Sequence, residues 1–149
     1  MYKIFISLCI LFALNLGASE INWAKDFKAG MSEAKKLKKP VMFVSSRHSC
    51  KYCVILEETT FKNAMVVKDL NDNFITIVSY SDENDYMPKK LWRPGTPAIW
   101  FLNYDGVPMF QELMGALSAN DLLNVLPQVK QEFEALQKKE KNDFYKLKK

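Results

Sequence analysis

The sequence predicts an α/β domain, with a central mixed β-sheet flanked by helices on both faces. Three observations predict it. Helix-period and strand-like segments alternate along the chain, an Asp105-Gly106 turn separates two extended runs, and a long amphipathic stretch follows them. Strands joined through helices call for parallel pairing, whereas a hairpin adds an antiparallel edge.

The elements follow in chain order. Trp23, Phe27, Met31, Ala34 and Leu37 recur every three or four residues, which predicts an amphipathic helix over residues 22–38, stopped by Pro40. Residues 41–44 (VMFV) form a short apolar run suited to a buried strand. The segment SRHSCKYC comes next; helix is predicted over residues 54–60, and a further helical turn or two over residues 63–71. Residues 74–80 (FITIVSY) are rich in β-branched and aromatic side chains and predict a strand. Residues 81–90 are polar and read as a loop with at most a short helix.

Residues 98–102 (AIWFL) and 107–114 flank Asn103, Tyr104, Asp105 and Gly106, which is a hairpin signal. Ser118 with Asp121 three residues on marks a helix start. Leu122, Leu126, Val129, Phe133 and Leu136 then make one apolar stripe. Pro127 removes a hydrogen bond and crowds the Leu123 carbonyl, so a kink or two abutting helices are expected there.

The chain opens MYKIFISLCILFALNLGAS, with one early lysine, an apolar run over residues 4–16 and small residues at 17–19. That is the layout of a secretory signal peptide, with cleavage expected near Ala18 or Ser19. The run falls short of the ~20 residues that span a bilayer, which favours a cleaved leader over a retained anchor. Cys9 would leave with it, and the mature protein would carry Cys50 and Cys53 alone. The expected compartment is the periplasm, with secretion as the alternative. About 130 residues would remain, enough for one core.

With 48% hydrophobic and 26% charged residues the composition is globular, and no repeat or low-complexity tract argues otherwise. The formal charge of +4 is concentrated in residues 138–149, where six lysines face Glu140 and Asp143. That tail alone carries +4, so the rest of the mature chain is close to neutral. The basicity is therefore no footprint for nucleic acid. The tail reads first as a solvated helix end, with contact to a membrane surface or an acidic partner as the alternative.

Cys50 and Cys53 stand two residues apart before a helical stretch. A thiolate, not a thiol, attacks disulfides, and a free cysteine near pKa ~8.5 is mostly protonated at neutral pH. At a helix N-terminus, unpaired N–H groups and the dipole favour a negative sulfur. Cys50 would stand at that end, and Cys53 one turn on would share its face. Lys51, with His48 or Arg47, adds positive charge, which makes the couple more oxidising than a Gly-Pro dipeptide would. Zinc needs about four ligands, more than two cysteines and His48 supply. A softer metal such as copper on those three residues stays open. A structural staple would close too small a loop to add much stability.

Taken in order, CKYCVILEETTF, the FITIV strand and GTPAIWFLNYDG resemble the thioredoxin fold. Within it they are most similar to exported thiol–disulfide oxidoreductases such as the C-terminal domain of DsbD, over roughly residues 23–137. With the leader and the basic tail read above, the resemblance divides the chain into a signal peptide over residues 1–19, a thioredoxin-like domain over residues 20–137 and a basic tail over residues 138–149. It implies that Cys50 and Cys53 are the catalytic, redox-active pair. It also implies that Pro97 is a cis-proline beside them and that the Thr96 backbone pairs with an extended substrate. Lys51 and His48 would tune the thiolate. The implied activity is reduction of disulfides in exported proteins by a monomer without a cofactor, fed by a membrane electron donor of the DsbD type. An oxidant or isomerase is the alternative within the class, and a thioredoxin-fold copper carrier or binding module the alternative outside it.

The sequence departs from the common pattern at three places. Val44 occupies the position six residues before the first cysteine, where many thioredoxins carry a buried aspartate. Ser49 replaces the usual tryptophan, and Lys51-Tyr52 replaces Gly-Pro. These departures favour a specialised enzyme over a general thioredoxin. Glu57, one turn past Cys53, is a candidate proton acceptor, although a solvated helix face is the more usual place for such a residue. Trp92, Trp100 and Phe101 read as core or rim packing rather than a specific pocket.

Overall fold

The computed structural model describes residues 20–148. The leader read in residues 1–19, its cleavage point and Cys9 lie outside the described residues.

Four strands form one sheet in the order β2-β1-β3-β4. Strand β1 (Val41–Ser46) pairs in parallel with β2 (Ile75–Tyr80) and antiparallel with β3 (Ala98–Leu102). Strand β4 (Leu113–Met114) closes the far edge against β3. Alternation along the strands sorts two cores. Val41, Phe43, Ile75, Ile77, Trp100 and Leu102 face one side, where Ala34, Phe27 and Met31 of α1 (Phe27–Leu37) cover them. Met42, Val44, Ile99 and Phe101 face the other. There they meet Leu56 of α2 (Lys51–Glu58), Val66, Val67 and Leu70 of α3 (Ala64–Asn73), and Leu122, Leu126 and Val129 of α4 (Ala119–Leu147). Every residue of β1 is buried because the strand is central and covered twice. This is the thioredoxin fold the sequence predicts.

Helix boundaries differ from the periodicity in instructive ways. Helix α1 starts at Phe27 rather than residue 22, because the Asp26 carboxylate caps it by accepting from Ala29 N–H at 2.7 Å. Trp23 lies upstream, bridged in parallel to Thr76 of β2. Lys38 ends the helix in the left-handed region, φ 54°, with its N–H on the Ala34 carbonyl. Gly30 lets α1 lie on β2, since a Cβ there would sit 2.5 Å from Ile77 Cγ1.

Two further expectations are corrected. The extended run over residues 107–114 yields only the two residues of β4, plus a bridge from Pro108 to Leu102. Pro108 has no N–H to continue a ladder. The Asn103 side chain instead takes the N–H groups of Asp105 and Val107, tightening the turn around Gly106 at φ 79°. Helix α4 passes through Pro127 as one element of 29 residues, which overturns the alternative of two abutting helices. Pro127 is exposed, so its ring meets no packed neighbour, while buried Leu126 and Val129 hold the helix on the sheet.

Candidate active site

The carboxyl end of β1 runs into a turn that presents Cys50 as the N-cap of α2, with extended backbone at φ −96° and ψ 114°. Cys50 N–H is satisfied by the Arg47 carbonyl at 3.2 Å. The Cys50 sulfur accepts from Cys53 N–H at 3.2 Å, the bond a side-chain cap makes to a free amide of the first turn. The two sulfurs are joined as a disulfide. Cys50 is half-buried, whereas Cys53 is completely buried one turn inward.

Across from the pair, the Thr96 carbonyl oxygen lies 3.3 Å from Cys50 Sγ. In the dithiol form that contact can carry an S–H···O hydrogen bond. The Thr96–Pro97 peptide bond is cis, and Pro97 is buried against the sheet. Its carbonyl accepts from Gly115 N–H at 2.9 Å.

The tie that holds this loop was not read from the sequence. Arg93 forks onto Glu112, with Nε 2.6 Å from Oε1 and Nη2 3.2 Å from Oε2, and also donates from Nη1 to the Trp92 carbonyl at 2.8 Å. Its guanidinium lies over the Trp100 ring at 4.5 Å. The hydrogen bond and charge of Arg93 hold the Glu112 carboxyl below its ordinary range. The pair joins the chain just before Thr96-Pro97 to the chain just before β4. Its only sequence signal is one arginine and one glutamate, 19 residues apart. Trp100 is core and spends its indole N–H on the Leu91 carbonyl, Phe101 is core, and Trp92 is an exposed rim residue.

Glu57 is not a solvated helix-face residue. Its Oε1 accepts from Ser46 Oγ at 2.8 Å and from Tyr80 O–H at 3.3 Å, so one carboxylate joins α2 to the ends of β1 and β2. Burial and the neighbouring Glu57 charge push the Tyr80 phenol up to about 12, which keeps it a donor. A cleft of about 260 Å³ lined by Trp23, Phe61, Val78 and Tyr80 reaches Glu57 from solvent. Val44 stays in the core, so the acid near the cysteine helix comes from α2 and not from β1.

The positive groups are less concentrated at the sulfurs than the sequence implied. His48 stacks on Tyr80, ring centroids 4.1 Å apart, and its Nε2 lies 2.7 Å from Glu83 Oε1. Lys51 begins α2 with its side chain exposed. Ser49 N–H donates to Asp82 at 3.2 Å, which fixes the turn from the other side. Among the described residues, no group of three or more His, Cys, Asp or Glu side chains is arranged to hold a metal.

The pattern of a thioredoxin-like domain matches residues 27–130, which include both cysteines and the Thr96-Pro97 loop. The chain belongs to the thioredoxin-like family. Solved structures agree on the fold. A thioredoxin from Thermus thermophilus superposes with a TM-score of 0.62 at 20% identity, covering 74% of this chain and 87% of that one. The DsbH oxidoreductase gives 0.59 at 12% identity, covering 78% and 89%. The reduced C-terminal domain of DsbD from Neisseria meningitidis gives 0.56 at 21% identity, covering 68% and 91%. No curated protein matches the sequence. This thioredoxin-like chain therefore carries a disulfide-forming Cys-x-x-Cys pair at the first turn of α2, beside a cis-proline loop.

Proposed function

We propose that the protein is an exported thiol–disulfide oxidoreductase that reduces protein disulfides. One observation carries the reading: a half-buried sulfur at a helix N-cap, receiving a backbone N–H, with a fully buried sulfur one turn on. The first sulfur is reachable and stabilised as an anion; the second is shielded from everything except the first.

The steps follow from that asymmetry. The Cys50 thiolate attacks one sulfur of a partner disulfide, forming a mixed disulfide and expelling a partner thiolate that takes up a proton. Cys53 then loses its proton and attacks Cys50 Sγ. The Cys50–Cys53 bond forms, the mixed disulfide breaks, and the second partner thiol leaves. Two electrons have passed to the partner. Glu57, reached from solvent and one helical turn from Cys53, is our candidate for the proton from Cys53. The Thr96 backbone is our candidate for holding the partner's extended chain, and Lys51, at the start of α2, is our candidate for tuning the thiolate, whereas His48 is held against Tyr80 and Glu83. A membrane donor of the DsbD type would return the dithiol form. The direction is favoured by the likeness to the DsbD domain, and partners would be disulfide-bonded exported proteins.

Trapping tests it. Cys53→Ser should accumulate mixed disulfides with partners through Cys50, visible on non-reducing gels. Cys50→Ser should trap none and lose disulfide reduction. Trapping by Cys50→Ser alone would reverse the roles, and trapping by neither variant would remove the enzyme reading. A reduction potential well above that of the glutathione pool would turn the direction to oxidation.

A further inference from the structure

The last body contacts of α4 are Gln137, whose amide donates to the Lys38 carbonyl at 3.3 Å, and Glu140, whose carboxylate takes the Tyr104 hydroxyl at 2.5 Å. Beyond Glu140 the helix continues to Leu147, about 10 Å further at the rise of an α-helix. All of residues 141–148 are exposed. The stripe that faces the body does not stop there. Phe133, Gln137, Glu140, Phe144 and Leu147 follow one another every three or four residues, so Phe144 and Leu147 continue the buried face with no body beneath them. Phe144 is 53% exposed, Tyr145 67% and Leu147 87%. Lys141 and Lys148 flank this stripe on one side and Asp143 on the other, with Lys138, Lys139 and Lys146 further round the helix, and Lys148 Nζ lies 4.5 Å from the Phe144 ring centroid.

We infer that the end of α4 is a membrane-surface anchor that binds anionic lipid. The occupant follows from charge and shape together. Lysines around an apolar stripe are what lets a helix lie in a headgroup layer, apolar edge down and ammonium groups at the phosphates. The tail carries a charge of +4 on a body that is close to neutral, so the attraction is local to this helix. A second copy of the chain is disfavoured, since pairing two such helices sets lysine against lysine. A soluble acidic protein would use the lysines but give Phe144, Tyr145 and Leu147 nothing to enter. No helix among the described residues is long and apolar enough to cross a membrane.

The position in the fold suits this anchor. Lys38 and Tyr104 lie at the pole where β1 begins, and Cys50 follows the other end of that strand, about 20 Å away at the rise of six extended residues. A chain held by α4 therefore presents the cysteine pole away from the lipid. The inference stands on the tail alone and does not depend on the redox direction.

The test is co-sedimentation of the chain from Glu20 onward, which carries every element described above, with two kinds of vesicle. Vesicles of one part phosphatidylglycerol to two parts phosphatidylcholine should bind it, and pure phosphatidylcholine vesicles should not. Raising salt from about 0.1 M to about 1 M shortens the screening length from about 10 Å to about 3 Å and should release it. Lys146→Gln and Lys148→Gln should each weaken binding about fivefold. Phe144→Ser with Leu147→Ser should weaken it as well, with circular dichroism and thermal unfolding unchanged. Absence of binding to the anionic vesicles, equal binding to both kinds, or binding that survives all four substitutions would overturn the proposal. Capture by soluble polyglutamate without any vesicle binding would overturn it in favour of an acidic protein partner.

Discussion

The cysteine pole and the opposite pole use similar residue types to different ends. At the cysteine pole, beside the exposed His48–Glu83 pair, two polar ties reach sheltered partners: Glu57 to Ser46, which is 1% exposed, and Arg93 to Glu112, whose side chain is 16% exposed. At the other pole, Lys35 meets Asp105 with both side chains largely exposed, at 67% and 43%. Beyond that pair the helix end carries Lys138, Lys139, Lys141, Lys146 and Lys148 beside Glu140 and Asp143, and among the described residues none of these lysines makes an ion pair. Exposed pairs are worth little and hold no fixed geometry. The difference teaches what each end is fit for. Exchange between sulfurs needs atoms held in place, whereas a charged, partly apolar helix can meet a soft surface without being fixed in advance.

The comparison breaks most readily on two leucines. Leu56 and Leu147 both sit on helices, one 1% and the other 87% exposed. Leu56→Ala should cost about 2–5 kcal/mol, the lost transfer energy plus the cavity left beneath the cysteine helix. Leu147→Ala should stay within about 0.5 kcal/mol. Denaturant unfolding of the two variants reads both values. A Leu147 cost as large as the Leu56 cost would mean that the end of α4 is packed in solution, and the contrast between poles would fail.

A smaller effect sharpens the description of the cysteine pole. If the Arg93–Glu112 fork positions the Thr96 loop, Glu112→Gln should slow disulfide reduction while leaving the unfolding midpoint near that of the wild type. Displacement of a reacting geometry by about 1 Å can cost up to roughly 100-fold, so a loss of about tenfold is expected. Glu112→Asp, which keeps the charge, should recover part of it. Full activity in Glu112→Gln would leave the fork as ordinary surface electrostatics.

The sequence carried the sheet because β1 and β2 each open on four apolar or β-branched residues and β3 is apolar throughout, and such short runs read as buried strands. It carried the cysteine pair because spacing at a helix start is local information. It named Glu57 as a candidate proton acceptor but not the partners that hold it, since Ser46 and Tyr80 lie 11 and 23 residues away and only the parallel pairing of β1 with β2 brings their ends together. The Arg93–Glu112 fork was hidden for the same reason. Local chemistry also overrode pattern. Asp26 set the start of α1, Pro108 with the Asn103 turn shortened β4, and the exposed position of Pro127 let α4 continue.

The smallest effect lies in Tyr80, where the cysteine pole's polar network meets its surface. Burial first, then the Glu57 charge and hydrogen bond, raise the phenol from 10.0 to about 12. The sign follows from which state ionises first. As pH rises past 10.0 the unfolded chain loses the Tyr80 proton while the folded chain keeps it. Stability contributed by Tyr80 is therefore intact below pH 10.0 and drains away as pH approaches about 12. Tyr80→Phe removes one hydrogen bond, at a cost of about 1 kcal/mol or less near neutrality, because Ser46 still donates to Glu57. The two proteins should accordingly converge in stability across that alkaline window. Every other titratable group is common to both proteins, so the difference between them isolates Tyr80. Parallel curves for wild type and Tyr80→Phe would mean that the phenol ionises as it does in the unfolded chain. In that case the Tyr80–Glu57 contact would be no firmer than the exposed pairs at the other pole.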